Sequence, residues 1–135
     1  MTSTQFGFEV EDLFAQECKA RGIVLFKPAR PMAWDFATVV DDRLVLIQVK
    51  ATEALMRVAK KNRAFRVRCY RNTRPPTSYH HAGVDYIAAY VVPFKRWHIF
   101  PAPRGLSKVQ ITRNPVGKQK LTIDRWDLFG AKSGQ

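Results

Sequence analysis

Asp35, Gln48 and Lys50 carry the chemistry that most needs explaining. The run Leu44-Val45-Leu46-Ile47-Gln48-Val49-Lys50 is apolar until its last three positions and reads as a strand. Residues two apart in a strand share a face, so Gln48 and Lys50 point together. Residues 34–40 read as a partner strand and Asp41-Asp42-Arg43 as the turn of a hairpin. That turn sets position 35 across from about position 49. A carboxylate, an amide oxygen and a lysine then meet at one end of the hairpin. A hard cation such as Mg²⁺ or Mn²⁺ takes oxygen ligands, which Asp35 and Gln48 would supply. Lys50 would lower the pKa of an attacking water, orient it, or stabilise charge on a phosphate. Spacing alone also fits, and more simply, a salt bridge between Asp35 and Lys50 at the edge of a sheet.

These residues need a scaffold, and the chain supplies a helix followed by strands. Val10, Phe14 and Cys18, with Leu13 beside them, form one apolar stripe and predict a helix over about residues 8–21. Glu9, Glu11 and Asp12 fall in its expected first turn, where the helix dipole favours carboxylates, and Gly22 ends it. Residues 23–26 read as a short strand closed by Lys27-Pro28. Residues 53–63 read as a short helix or a loop. Residues 64–71 alternate between Phe65, Val67, Cys69 and Arg66, Arg68, Tyr70, predicting a half-exposed strand with a basic face. Strands are expected over 84–92 and 96–100, and extended segments over 109–112 and 121–123 with a turn at 114–117. The expected class is α/β or α+β, a mixed central sheet flanked by helices. At 135 residues the chain suits one domain spanning 1–135, with a core over about 7–100 and a C-terminal extension over about 104–135.

Charge narrows the partner. Residues 1–53 hold 6 basic and 8 acidic side chains, whereas residues 54–135 hold 17 basic and 3 acidic. The net charge of +12 therefore sits in the second part of the chain and suits a polyanion, nucleic acid first among them. The stretch from Arg57 to Arg74 has eight basic residues (Arg57, Lys60, Lys61, Arg63, Arg66, Arg68, Arg71 and Arg74) and no acid. It reads as a surface tracking a DNA backbone, against the plainer reading of a solvated basic face. No apolar run reaches the roughly 20 residues of a membrane span, so no membrane is expected. Residues 1–14 lack the pattern of a signal peptide. Isolated Cys18 and Cys69 read as reduced core thiols, which suits the cytoplasm.

The order of these residues resembles the PD-(D/E)XK nuclease superfamily. Gly7-x-x-x-Glu11 lies on the first helix, Gly22 follows, Asp35 opens a strand, and Ile47-Gln48-Val49-Lys50 ends the next. The Gln-Val-Lys ending is similar to a branch with small group I intron homing endonucleases. Archaeal Holliday-junction resolvases have a similar layout, with Glu before the Val-Lys. The resemblance implies a restriction-endonuclease-like core and a site of Glu11, Asp35, Gln48 and Lys50. In it Glu11, Asp35 and Gln48 bind the metal, and Lys50 is the catalytic lysine. Glu9 competes with Glu11 for the helix position. Trp34 stands where the family name has proline. Gln48 stands where most relatives have an acid, which removes one negative charge from the metal site.

Tyr79 and Asp85 are expected to be structural or to support the site from behind. His80 and His81 read as exposed loop residues or phosphate contacts, and His98 as a structural histidine within a strand. Trp97, Trp126, Phe94, Phe100 and Phe129 read as core or interface anchors. The expected function is a metal-dependent DNA endonuclease on duplex or branched DNA, homing-endonuclease-like or junction-resolvase-like. A double-strand cut by so small a chain implies a homodimer or higher oligomer. The alternative is an inactive DNA- or RNA-binding protein on a nuclease-like fold.

Overall fold

A computed structural model of the chain describes residues 3–52, 55–59, 62–112 and 117–131, with no account of the side chains of 3–8, 55–59 and 62–64. One α-helix, α1 (Ser3–Ala20), comes first. Among the described residues nine strands follow: β1 (Phe36–Val40), β2 (Arg43–Thr52), β3 (Leu55–Ala59), β4 (Asn62–Arg68), β5 (Tyr70–Arg71), β6 (Thr77–Ser78), β7 (Tyr86–Val91), β8 (Arg96–Pro101) and β9 (Lys108–Thr112). The central sheet has the order β1-β2-β7-β8, and a second sheet has the order β3-β4-β9. The central sheet is mixed: β1 and β8 are antiparallel to their neighbours, while β2 and β7 are parallel. Parallel neighbours need a crossover, usually a helix. Here β3 to β6 make that connection instead.

The helix is longer than its apolar stripe suggested. It starts at Ser3, so its first turn holds no acid, and Glu9, Glu11 and Asp12 lie inside it. The stripe itself is buried, with Val10, Phe14 and Cys18 each at most 2% exposed. Phe14 is the hub of the first core. Its ring lies 5.5 Å from Phe36 and Trp97, 5.7 Å from Trp126 and 6.0 Å from Phe129. Ile47, Val49, Ala88 and Ile99 complete this layer. Trp126 and Phe129 sit on a 3-10 helix (Trp126–Phe129), so the C-terminal extension is part of the core.

The other face of the central sheet is covered by strands. Phe65 and Val67 of β4 and Ile111 of β9 pack on Ile87, Ala89 and Val91 of β7. The residues between them, Arg66, Arg68, Lys108 and Gln110, are exposed on the outer face. Four local expectations are corrected. Residues 53–63 are neither helix nor loop where described, because Leu55–Ala59 pairs with β4 as a strand. Residues 23–26 are not a strand: Phe26 bridges to Ala37, and the Val24 carbonyl accepts the Thr38 hydroxyl at 2.8 Å. Leu121 and Thr122 belong to a 3-10 helix (Gly117–Thr122), and Ile123 bridges to His98. The hairpin turn is two residues, not three. Asp41 (φ 51°) and Asp42 (φ 63°) are both left-handed, as a twist-matched two-residue turn requires, and Arg43 pairs with Val40. Most of the expected turn at 114–117 lies outside the described residues.

His98 is a core residue of the polar kind. It is fully buried, takes a hydrogen bond from Arg96 Nε at 2.9 Å on Nε2, and lies 2.7 Å from Thr122 Oγ1 through Nδ1. Thr122 Oγ1 donates to the Gln119 carbonyl, so it accepts from His98, which fixes the Nδ1–H tautomer. Burial first, and Arg96 second, push this imidazole down to about 4.

Two predictions follow from the cores. Phe14→Ala should cost about 3–5 kcal/mol in urea denaturation, the range for emptying a packed aromatic site. His98 binds its proton less readily folded (about 4) than at its ordinary 6.5. The unfolded chain therefore takes the proton first as pH falls. The contribution of His98 is full above about 6.5 and is lost as pH falls towards 4. Urea midpoints should drop over that window, and a His98→Gln chain should show a shallower drop.

Candidate active site

Asp35 is held by the hairpin through its backbone and its side chain. Its N–H donates to the Ile47 carbonyl at 2.8 Å, and its Oδ2 accepts the Val49 N–H at 2.8 Å. The pairing of Phe36 with Ile47 puts Asp35 beside Gln48, one position from the expected register, because the turn is a residue shorter. Gln48 pairs with Ile87 and Lys50 with Ala89, so both project from the face that packs away from α1. The Lys50 ammonium lies 4.8 Å from the centre of the Tyr79 ring, which is itself buried. Gln48 Nε2 donates to the Val49 carbonyl at 3.3 Å.

Glu11, not Glu9, reaches this point. Successive helical residues are about 100° apart, which puts Glu11 about 60° from the centre of the buried stripe and Glu9 about 140° away. Glu11 is accordingly half-buried and Glu9 exposed. The Glu11 carboxyl is pushed up to about 7, first by burial, then by the charge of Asp35 and the hydrogen bond it donates to Asp35. Burial also raises Asp35, against the Val49 N–H, the charge of Lys50 and the Glu11 hydrogen bond, which pull it down. Both carboxyls are thus harder to ionise than when free, and the hydrogen bond between them raises Glu11 and lowers Asp35. Among the described residues Asp35 forms no salt bridge with Lys50; its carboxyl meets the Val49 N–H and Glu11 instead.

Two carboxyls pressed into sharing a proton form an oxygen pair whose repulsion a divalent cation would relieve. Gln48, at the neighbouring β2 position, would offer a neutral amide oxygen to a Mg²⁺ or Mn²⁺ ion held by the pair. Among the described residues no three His, Cys, Asp or Glu come together.

A cleft of about 510 Å³ opens beside the pair, with Glu11 and Asp35 among its lining residues and Lys27, Arg30, Met32 and Trp34 among the others. The sequence reading gave Lys27 and Arg30 no role. The available signal was Lys27-Pro28 and Arg30-Pro31, two cations each followed by a proline, between the helix and the Asp35 strand.

The basic stretch is brought only partly into view. Arg66, Arg68, Arg71 and Arg74 are exposed. Lys60, Lys61 and the side chains of Arg57 and Arg63 lie outside the described residues. The second sheet is tied to the site by Thr52 Oγ1, which donates to the Arg66 carbonyl at 3.3 Å. His80 and His81 are exposed. Asp85 has a structural place away from the carboxyl pair: its Oδ2 accepts the Leu46 N–H at 2.8 Å and ties the start of β7 to β2. Cys18 and Cys69 are buried free thiols, pushed up by burial to about 12 and about 11.

No family model matches the chain, and no curated protein matches it by sequence. Solved structures do match. One is a bacterial homing endonuclease, I-Ssp6803I, with a TM-score of 0.68 and 18% identity over 94% of this chain and 90% of that one. Another is Hjc, a Holliday junction resolvase from the archaeal hyperthermophile Archaeoglobus fulgidus, with a TM-score of 0.57 and 16% identity over 93% of this chain and 97% of that one. The chain shares the fold of these two proteins, as its sequence resemblance implied.

The Asp35–Val49 bond predicts how the site tolerates change. Asp35→Asn keeps an oxygen acceptor and should stay within about 1 kcal/mol of the parent, whereas Asp35→Ala strands the Val49 N–H and should cost about 1–3 kcal/mol. Chemical denaturation of the two variants checks this.

Proposed function

We propose that the chain is a metal-dependent DNA endonuclease that hydrolyses phosphodiester bonds, homing-endonuclease-like or junction-resolvase-like. The observation that carries this is the hydrogen-bonded pair Glu11–Asp35 at the end of the hairpin that also presents Gln48 and Lys50. The fold supports it, since it is the fold of a homing endonuclease and of a junction resolvase. Charge supports it too, since exposed Arg66, Arg68, Arg71 and Arg74 suit a phosphate backbone.

In this reading Glu11, Asp35 and Gln48 hold Mg²⁺ or Mn²⁺, which when bound would activate water and offset charge on the phosphate. Asp35 is fixed for this by its bond from Val49, and Glu11 gives up its proton on loading. Lys50 donates to a phosphate oxygen as charge grows there. Water adds to phosphorus and gives up one proton to solvent, the opposite P–O bond breaks, and the leaving oxygen takes one proton from solvent, so the protons balance. Tyr79 keeps the Lys50 ammonium in place through its ring face. Cutting both strands of a duplex calls for a homodimer or higher oligomer. Buried reduced thiols suit a cytoplasmic setting. Among the described residues no helix is long and apolar enough to cross a membrane.

Gln48 favours a second reading, a non-catalytic DNA- or RNA-binding protein on the same fold, since it leaves the site with two acids. Cleavage of plasmid and four-way-junction DNA with Mg²⁺ and with Mn²⁺ separates the two. The wild type should cut at least one substrate, and Lys50→Ala should lower the rate by about 100-fold or more. If neither metal supports cutting of either substrate, the second reading replaces the first.

A further inference from the structure

The segment from Lys27 to Trp34 joins α1 to the start of the hairpin and lines the cleft beside Glu11 and Asp35. Pro28 and Pro31 deny it two backbone donors and keep it out of helix and sheet. It therefore runs as a connecting loop that turns side chains to the opening. The cleft, at about 510 Å³, is larger than a lone phosphate or ion requires and falls among sites of roughly 300–1,000 Å³ that take a whole small molecule. Its lining is chemically mixed. Lys27 and Arg30 bring two cations, and the charge of Lys27 reaches Glu11. Among the described residues neither cation forms a salt bridge. Met32 is 49% exposed, and half-buried Trp34 lines the cleft while also packing against the second core.

Two cations, one aromatic face and a neighbouring carboxyl pair fit one kind of ligand. Phosphates take the cations, and a sugar and base take the aromatic face. We infer that the cleft is the slot for one unstacked nucleotide of the cleaved strand, next to the scissile phosphate. Lys27 and Arg30 hold its flanking phosphates, and Trp34 receives its sugar and base. This rests on the DNA endonuclease reading and narrows it: the preferred substrate has an unpaired nucleotide at the cut, as single-stranded, gapped or branched DNA does. Stacked duplex buries its bases and leaves the Trp34 side of the slot unfilled.

The chain offers its own probe. Trp97 and Trp126 are each 4% exposed in the first core, which leaves Trp34 as the tryptophan a base can touch. A single-stranded oligodeoxynucleotide of about a dozen nucleotides is titrated into the full chain in EDTA, so that nothing is cut. Anisotropy of a labelled copy reports DNA binding, and tryptophan emission reports the slot. Saturable quenching with the same midpoint as the anisotropy is expected. Trp34→Phe should abolish the quenching and keep the binding, because the ring remains. Trp34→Ala should weaken binding by about 5-fold or more, the loss of one base stacked on an aromatic. Lys27→Gln with Arg30→Gln should reduce the slope of log affinity against log salt by about 1.4, for two single-strand phosphates. Binding without quenching, binding of duplex but not of single strands, or an unchanged salt slope would overturn the slot and leave the DNA reading standing. No anisotropy change with single-stranded, duplex or four-way-junction DNA would overturn both.

Discussion

The alternation of β2 is the constraint on which the rest of the molecule depends. From Ile47 onward this strand is packed on both faces, so each residue there has an assigned side. Ile47 and Val49 go under α1, while Gln48 and Lys50 go to the face that the second sheet shares. A slip of one residue would bury the Lys50 ammonium in the Phe14 layer and turn Val49 out to the site. Three devices hold the register. The left-handed pair Asp41-Asp42 fixes the turn, Asp35 Oδ2 takes the Val49 N–H, and Asp85 Oδ2 takes the Leu46 N–H. Core and candidate site are therefore one construction: the interaction that pins Asp35 also pins the strand that carries Lys50.

The carboxyl pair is the part of that construction that costs stability. Two acids brought together and partly buried resist ionisation, and the chain leaves Glu11 holding a proton at a pH where glutamate is ordinarily charged. A purely structural site has no need of this, since Asp35 has a nearby lysine with which it could have paired. Lys50 is instead held over the Tyr79 ring. Stability is given up locally at this pair, and the aromatic core around Phe14, one turn further along the same helix, offsets that cost. The neutral Gln48 softens the conflict, since a third acid here would raise the repulsion further.

Much of the site was legible in the sequence because its signals are local. The hairpin follows from an apolar run that ends in Gln48-Val49-Lys50 and from two aspartates that accept a left-handed turn. The inward face of α1 follows from Val10, Phe14 and Cys18. What was missed depends on distant partners. Leu55–Ala59 is a strand because Asn62–Arg68 lies beside it, and its sequence does not alternate cleanly enough to say so. The second face of the central sheet is covered by β4 and β9, which are about 40 residues apart in the chain, and no local pattern announces such a pairing. The start of α1 at Ser3 was missed because apolar periodicity marks the part of a helix that packs, not the part that merely continues.

By itself, then, the sequence determined which residues have chemistry to offer and which of them share a strand face, because a period of two is set by the backbone. It also determined the basic bias of the second part of the chain. Only the tertiary structure decided which partners meet. It chose Glu11 over Glu9, because a helix face is defined by the sheet it packs on. It gave Asp35 an acid for a direct partner and Lys50 an aromatic ring, because α1 and Tyr79 reach the end of the hairpin from opposite sides. It also set Lys27, Arg30 and Trp34 around one opening, because a loop with two prolines has no period from which its direction can be read.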